Sequence, residues 1–112
     1  MTEVPMLTNE QMQEIDDNVI HAIKSCYDPE IPVNIYELGL IYQIKVKSDG
    51  KVTILMTLTS PNCPAAQSLP AEVKERTEQI NEVTGVDVEV VWDPPWNPSM
   101  MSEAARLELG IF

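Results

Sequence analysis

The chain has 112 residues, 44% hydrophobic and 22% charged, which is the size of one globular domain with a buried core. Eighteen Asp and Glu against seven Lys and Arg give a net charge of -11, which repels phosphate backbones and anionic membranes and argues against nucleic-acid or membrane binding. Met1 to Pro5 holds neither a basic nor an apolar leader, no stretch approaches the ~20 apolar residues of a membrane helix, and the two cysteines lie in unlike contexts, so a soluble, cytoplasmic protein with free thiols is expected.

Thr8-Asn9-Glu10-Gln11 reads as a capping box, with the Thr8 hydroxyl and the Gln11 side chain serving open N–H groups at a helix start. Met12, Ile15, Val19, Ala22, Ile23 and Cys26 then recur at helical spacing as one apolar stripe, and the only histidine, His21, falls off it toward solvent. The helix should stop near Tyr27, because Asp28 precedes Pro29 and the residue before a proline is pushed out of helical geometry.

The segment from Asp28 to Gly39 has no clean period, yet it is too apolar for a solvated linker and must pack somewhere. Leu40, Tyr42, Ile44 and Val46 alternate with Ile41, Gln43, Lys45 and Lys47, the two-residue period of a strand with one wetter face. Ser48-Asp49-Gly50-Lys51 supplies a hairpin turn, and Val52 to Thr59 forms the return strand with Val52, Ile54, Met56 and Leu58 on one face.

A second helix is expected from Pro64 to about Val83, with Leu69, Val73, Ile80 and Val83 toward the core and a kink or restart at Pro70. Val86 to Trp92 alternates as a third strand, joined to the hairpin through a right-handed crossover. A stiff turn, Trp92-Asp93-Pro94-Pro95-Trp96-Asn97-Pro98, comes next, and a last helix starts near Ser99 or Ser102 and ends at Gly110. The order describes a single α+β domain, residues 1–112, in which a small three-stranded sheet, a hairpin plus a crossover strand, is covered by three helices.

The chemistry centres on Cys63. Pro64 suits the first position of a helix, which makes Cys63 the expected N-cap and places its sulfur among open N–H groups at the positive end of the helix dipole. Such a site favours the thiolate. The competing reading is a small buried hydrophobe under a core cap. Around it, most usual chemistries lose support: His21 is no convincing base, positions 26 and 63 lack structural-zinc spacing, and four glycines make no phosphate loop. Two constellations remain. Asp28-Pro29-Glu30 holds two carboxylates on a loop that the strand order lets approach Cys63, with a solvated turn as the bland alternative. The Trp92 to Trp96 loop is either a lid on the core or an anchor for a partner.

The run from Tyr27 to Ile35, the segment Glu37 to Tyr42, Thr57-Leu58-Thr59-Ser60-Pro61-Asn62-Cys63-Pro64, Trp92-x-Pro94-x-Trp96 and Ala104-Ala105-Arg106-Leu107 together resemble the metal-sulfur cluster biosynthesis family. That family includes SufT-like assembly proteins, cytosolic iron-sulfur targeting factors and PaaD-like proteins of phenylacetate degradation. The resemblance covers about residues 10–112. It implies an accessory factor, not an enzyme, in SUF-type iron-sulfur cluster assembly or delivery, whose partners are assembly proteins and client apoproteins.

By the same resemblance Cys63 is the reactive cysteine and metal-contacting residue, with Asp28 and Glu30 as the acidic motif beside it. Cys26 matches no motif cysteine and reads as core. A PaaD-like role in ring-oxygenase maturation is the alternative, although the extra C-terminal cysteines of that branch are not found here; a pure interaction module built on the Trp92 to Trp96 loop is another. Because a cluster takes about four thiolates, one monomer should hold none stably. Transient holding with a partner or across a homodimer, delivery through protein contacts, and a structural role within the assembly machine stay open.

Overall fold

The computed structural model describes residues 6–27, 33–59 and 65–110. The first helix, α1 (Asn9–Ile23), opens with the expected capping box: the Thr8 amide donates to Gln11 Oε1 at 2.8 Å, and the Gln11 amide donates to Thr8 Oγ1 at 3.1 Å. Its stripe of Ile15, Val19 and Ile23 is buried, and Cys26 extends the same face beyond the last turn. The helix ends at Ile23 with Lys24 as C-cap, several residues before Pro29 and earlier than the proline alone required.

Strand β1 (Ile41–Val46) pairs antiparallel with β2 (Lys51–Met56), and β2 pairs parallel with β3 (Gly85–Val90), so the central strand is β2. The parallel pairing is a consequence of the crossover through α2 (Ala65–Glu78). Core-facing residues lie in rows across the sheet: Val46, Val52 and Val86 in one, Ile44, Ile54 and Val88 in the next. Helices α1 and α2 pack on that face. On the opposite face Lys45, Thr53 and Asp87 share a row, and their polarity matches their greater exposure.

Besides strand ends that come early, at Met56 rather than Thr59 in β2 and at Val90 rather than Trp92 in β3, three details depart from the sequence-based expectation. A bulge between Ile41 and Gln43 sets Ile41 opposite Met56, so Ile41 joins the core. Tyr42, expected on the same face as Ile44, instead donates its hydroxyl to the Pro94 carbonyl at 2.7 Å. One extra residue in a strand reverses the alternation beyond it. The second difference is at Pro70, where α2 runs through as one helix, so the restart, one of the two outcomes expected there, does not occur. A proline in the second turn forfeits one bond to a carbonyl in the first, a cost that the burial of Leu69 and Val73 on either side offsets. Third, α2 ends at Glu78 rather than near Val83; Ile80 and Val83 still pack on the core from the turn after the helix.

After β3 the chain crosses a cis Asp93–Pro94 bond, makes a short 3-10 turn at Pro98–Met100 and enters α3 (Glu103–Glu108). Ser102 caps α3 by accepting from the Ala105 amide at 3.1 Å, and Gly110 comes after the C-cap at φ +73°. Met101 and Ala105 are buried, and Leu109 packs against the core from partial exposure. The expected stop at Gly110 and the choice of Ser102 over Ser99 as cap both rest on this geometry.

Candidate functional site

Helix α1 starts beside the hairpin, where the Leu7 amide donates to the Ser48 carbonyl at 2.8 Å, and runs toward the opposite edge, at which β2 and β3 both end. Beyond the helix, a ladder of backbone bonds fixes the chain in place. Ile35 donates to the Cys26 carbonyl at 2.9 Å, Leu40 to Ile35 at 3.2 Å, and Thr57 to Leu40 at 2.8 Å, while Val91 donates to Met56 at 2.8 Å. Tyr27 and Asn34 face each other in an isolated antiparallel bridge. The described residues on both sides of positions 28–32, those leading into positions 60–64, and the start of Trp92 to Trp96 are thereby gathered at one edge of the sheet.

Cys63, Asp28 and Glu30, the three expected site residues, lie outside the described residues. What the fold establishes is the rooting of their segments: Tyr27 and Asn34 hold the base of one, and Thr59 and Ala65 bound the other. At the base, Asn34 Oδ1 accepts from the Glu37 amide at 2.9 Å, and the Asn34 carbonyl accepts from Leu38 at 3.1 Å, so this stretch is a tight turn set by its own asparagine.

Cys26 occupies the core, as its place on the α1 stripe required. It is fully buried, and its Sγ lies 3.8 Å from the Ala22 carbonyl oxygen. Burial, and secondly the nearby Glu72 carboxylate, push its thiol up to about 11, with Arg76 opposing. It is a neutral, inert thiol at physiological pH. Arg76 spans the junction outside it, donating to Ser25 Oγ and Glu72 Oε1 at 3.1 Å each and tying α2 to the end of α1.

The tryptophan loop divides into two roles. Trp96 donates its indole N–H to the Leu38 carbonyl at 2.7 Å and packs on the core, which makes it the lid. Trp92 is 46% exposed and Tyr27 is 55% exposed, so two aromatic side chains reach solvent from the described chain at this edge. His21 is exposed on α1, as its position off the stripe implied.

One residue at the edge carried no weight in the sequence. Thr57, directly after β2, is completely buried, and its hydroxyl has no hydrogen-bond partner among the described residues. Such a group costs about 1–3 kcal/mol relative to a satisfied one. Thr77, the other buried threonine, donates to the Val73 carbonyl at 2.7 Å and is satisfied within α2. In sequence Thr57 falls inside the expected return strand, on the face opposite Met56 and Leu58, and nothing there marks its hydroxyl as buried.

Among the described residues no group of three or more His, Cys, Asp or Glu side chains could hold a metal ion. The whole chain carries two cysteines, and Cys26 is sealed in the core, so one copy cannot supply the roughly four thiolates of an iron-sulfur cluster. No helix among the described residues is long and apolar enough to cross a membrane.

Comparison with known proteins gives a consistent result. The family model for iron-sulfur cluster assembly proteins matches residues 16–90. The Fe-S protein maturation auxiliary factor of Porphyromonas gingivalis is 46% identical over 102 residues, covering 91% of this chain and 97% of that protein. The Fe-S protein maturation auxiliary factor SufT of Staphylococcus aureus is 40% identical over 84 residues, covering 75% of this chain and 96% of its own length. A crystal structure of a domain of unknown function from Bacillus anthracis superposes with a TM-score of 0.84 at 32% identity, over 94% of this chain and all of that one.

Proposed function

Since the chain belongs to the iron-sulfur cluster assembly protein family, we propose that it is an accessory factor in iron-sulfur protein maturation, with Cys63 as a contact or transfer point that works only with a partner. The reading is supported most directly by relatives named as maturation auxiliary factors that match this chain over nearly their whole lengths. It is also supported by the common rooting, at one sheet edge, of the segments that carry Cys63 and the Asp28-Pro29-Glu30 motif.

In this reading the cluster is cargo, never owned by one copy. Cys63 contributes one thiolate, and the remaining ligands come from an assembly protein, a client apoprotein or a second copy of the chain. The factor has no turnover of its own and works in the cytoplasm. A PaaD-like role is the weaker alternative, because the Porphyromonas and Staphylococcus relatives carry maturation-factor names.

The test is complementation in cells that lack the factor, scored by the activity of a cluster enzyme. Cys63→Ala should fold like the wild type and fail to restore activity, and Asp28→Asn with Glu30→Gln should restore it only in part. Full restoration by Cys63→Ala sinks the cysteine-centred role. A pure interaction module is favoured by the exposure of Trp92, and in that case Trp92→Ala rather than Cys63→Ala abolishes complementation.

A further inference from the structure

On the helical side of the sheet, α1 and the turn after α2 enclose an open groove of about 410 Å³. Its apolar lining is Ile15, Ala22 and Ile80. Over that lining stand two carboxylates, Glu14 on α1 and Glu82 on the turn, together with the side-chain amides of Asn18 and Asn81 and the His21 imidazole. The volume falls within the ~300–1,000 Å³ typical of sites that take a small ligand or one long side chain.

We propose that this groove is a docking site for an arginine side chain presented by a protein partner, its aliphatic stem lying on Ile15, Ala22 and Ile80 and its guanidinium held by Glu14 and Glu82. The pairing of charge with an apolar lining carries the argument. Like most carboxylates of this acidic chain, Glu14 and Glu82 make no ion pair among the described residues, and what sets them apart is that both line the groove. Two uncompensated carboxylates above an apolar lining match the two parts of a long cationic side chain, which buries its stem and keeps its head among acceptors. The two asparagine carbonyls raise the number of acceptors, and a guanidinium with five N–H donors uses them better than an ammonium with three.

Glu82 is also held in place. It adopts φ +74°, a region that side-chain-bearing residues rarely occupy, and its carbonyl lies so close to Gly50 that a Cβ there would collide with it. The turn is stapled to the hairpin from the other side as well, by Thr84 donating its amide to the Gly50 carbonyl and its hydroxyl to the Asp49 carbonyl, both at 3.0 Å. A carboxylate mounted on a fixed backbone loses less freedom when it binds.

The full chain is titrated with N-acetyl-arginine amide and followed by amide NMR shifts, with N-acetyl-citrulline amide as the neutral isostere and N-acetyl-lysine amide as the second cation. Saturable shifts confined to the Asn18 and Asn81 side-chain amides and the Glu82 backbone are expected, with at least a fivefold weaker response in the Glu14→Gln, Glu82→Gln double variant. Citrulline should give none. Shifts spread over the acidic surface, or unchanged in the double variant, overturn the site, and equal binding of the lysine compound overturns the choice of arginine. If Glu82→Gln disturbs the turn, Glu82→Asn replaces it, since asparagine tolerates positive φ. Cys63→Ala should leave this binding intact, so failure here and failure of the maturation role are separable.

Discussion

Trp96 donates its indole N–H to the backbone carbonyl of Leu38 at 2.7 Å, across 58 positions of sequence. Leu38 is fully buried, so this bond fastens the last quarter of the chain over the loop that leads into β1. The neighbouring Ser102 amide donates to the Glu37 carbonyl at 2.8 Å and reinforces the same junction.

Trp96→Ala is therefore expected to lower stability by about 3 kcal/mol through lost packing and an orphaned carbonyl, and Trp96→Phe by about 1 kcal/mol. Trp92→Ala should change stability by less than about 0.5 kcal/mol, because its ring is already largely in water. Urea melts of the three variants check the division. Equal losses at both tryptophans would show that the loop acts as one structural unit.

Cys26 should make stability depend on alkaline pH. Its thiol is raised from 9.0 to about 11 in the folded state, so between those values the folded chain binds more protons than the unfolded chain. Stability from this source is complete below about pH 9 and is lost as pH rises through 11. Urea melts at pH 8 and pH 10.5 should show a decline that is smaller in Cys26→Ala. In native protein at pH 8, iodoacetamide should leave Cys26 unmodified until denaturant is added.

Thr57→Val replaces a buried hydroxyl without a partner among the described residues by a methyl of similar size. Stability should hold or rise by about 1 kcal/mol. A loss of more than about 1 kcal/mol in urea melts would reveal that the hydroxyl is satisfied in solution.

Gly39 has φ +81°, and a Cβ there would run into the Met100 carbonyl. Gly39→Ala should cost about 2–4 kcal/mol by combining backbone strain with displacement of the 3-10 turn before α3. Thermal unfolding measures the loss, and limited proteolysis should show earlier cleavage around residues 92–101 than in the wild type. A variant as stable and as resistant as the wild type contradicts the close approach.

Helix starts and core faces were legible because they depend on neighbours in sequence. Thr8 and Gln11 are three apart and satisfy each other, and the spacing of Ile15, Val19, Ile23 and Cys26 leaves one face to bury. The same holds for the hairpin at Gly50, where φ is +91°, and for the cap at Ser102. Ile41 and Tyr42 exchange the faces that simple alternation assigns them, because a bulge depends on the partner strand and nothing in β1 alone declares it. Of the candidate site, the sequence singles out Cys63, Asp28 and Glu30; the fold adds that the described residues flanking their segments share one edge.

Composition and periodicity by themselves determined an acidic α+β fold with Cys26 in its core, and the resemblance of its motifs to an iron-sulfur assembly family marked Cys63 as the thiol to test. Only tertiary structure decided which tryptophan is a lid and which meets solvent, that the Thr57 hydroxyl is sealed away, and that Glu14 and Glu82 share a groove. Each of those depends on surfaces brought together from distant positions. Local preference encodes how a segment folds, whereas exposure and partnership are set by whatever packs against it.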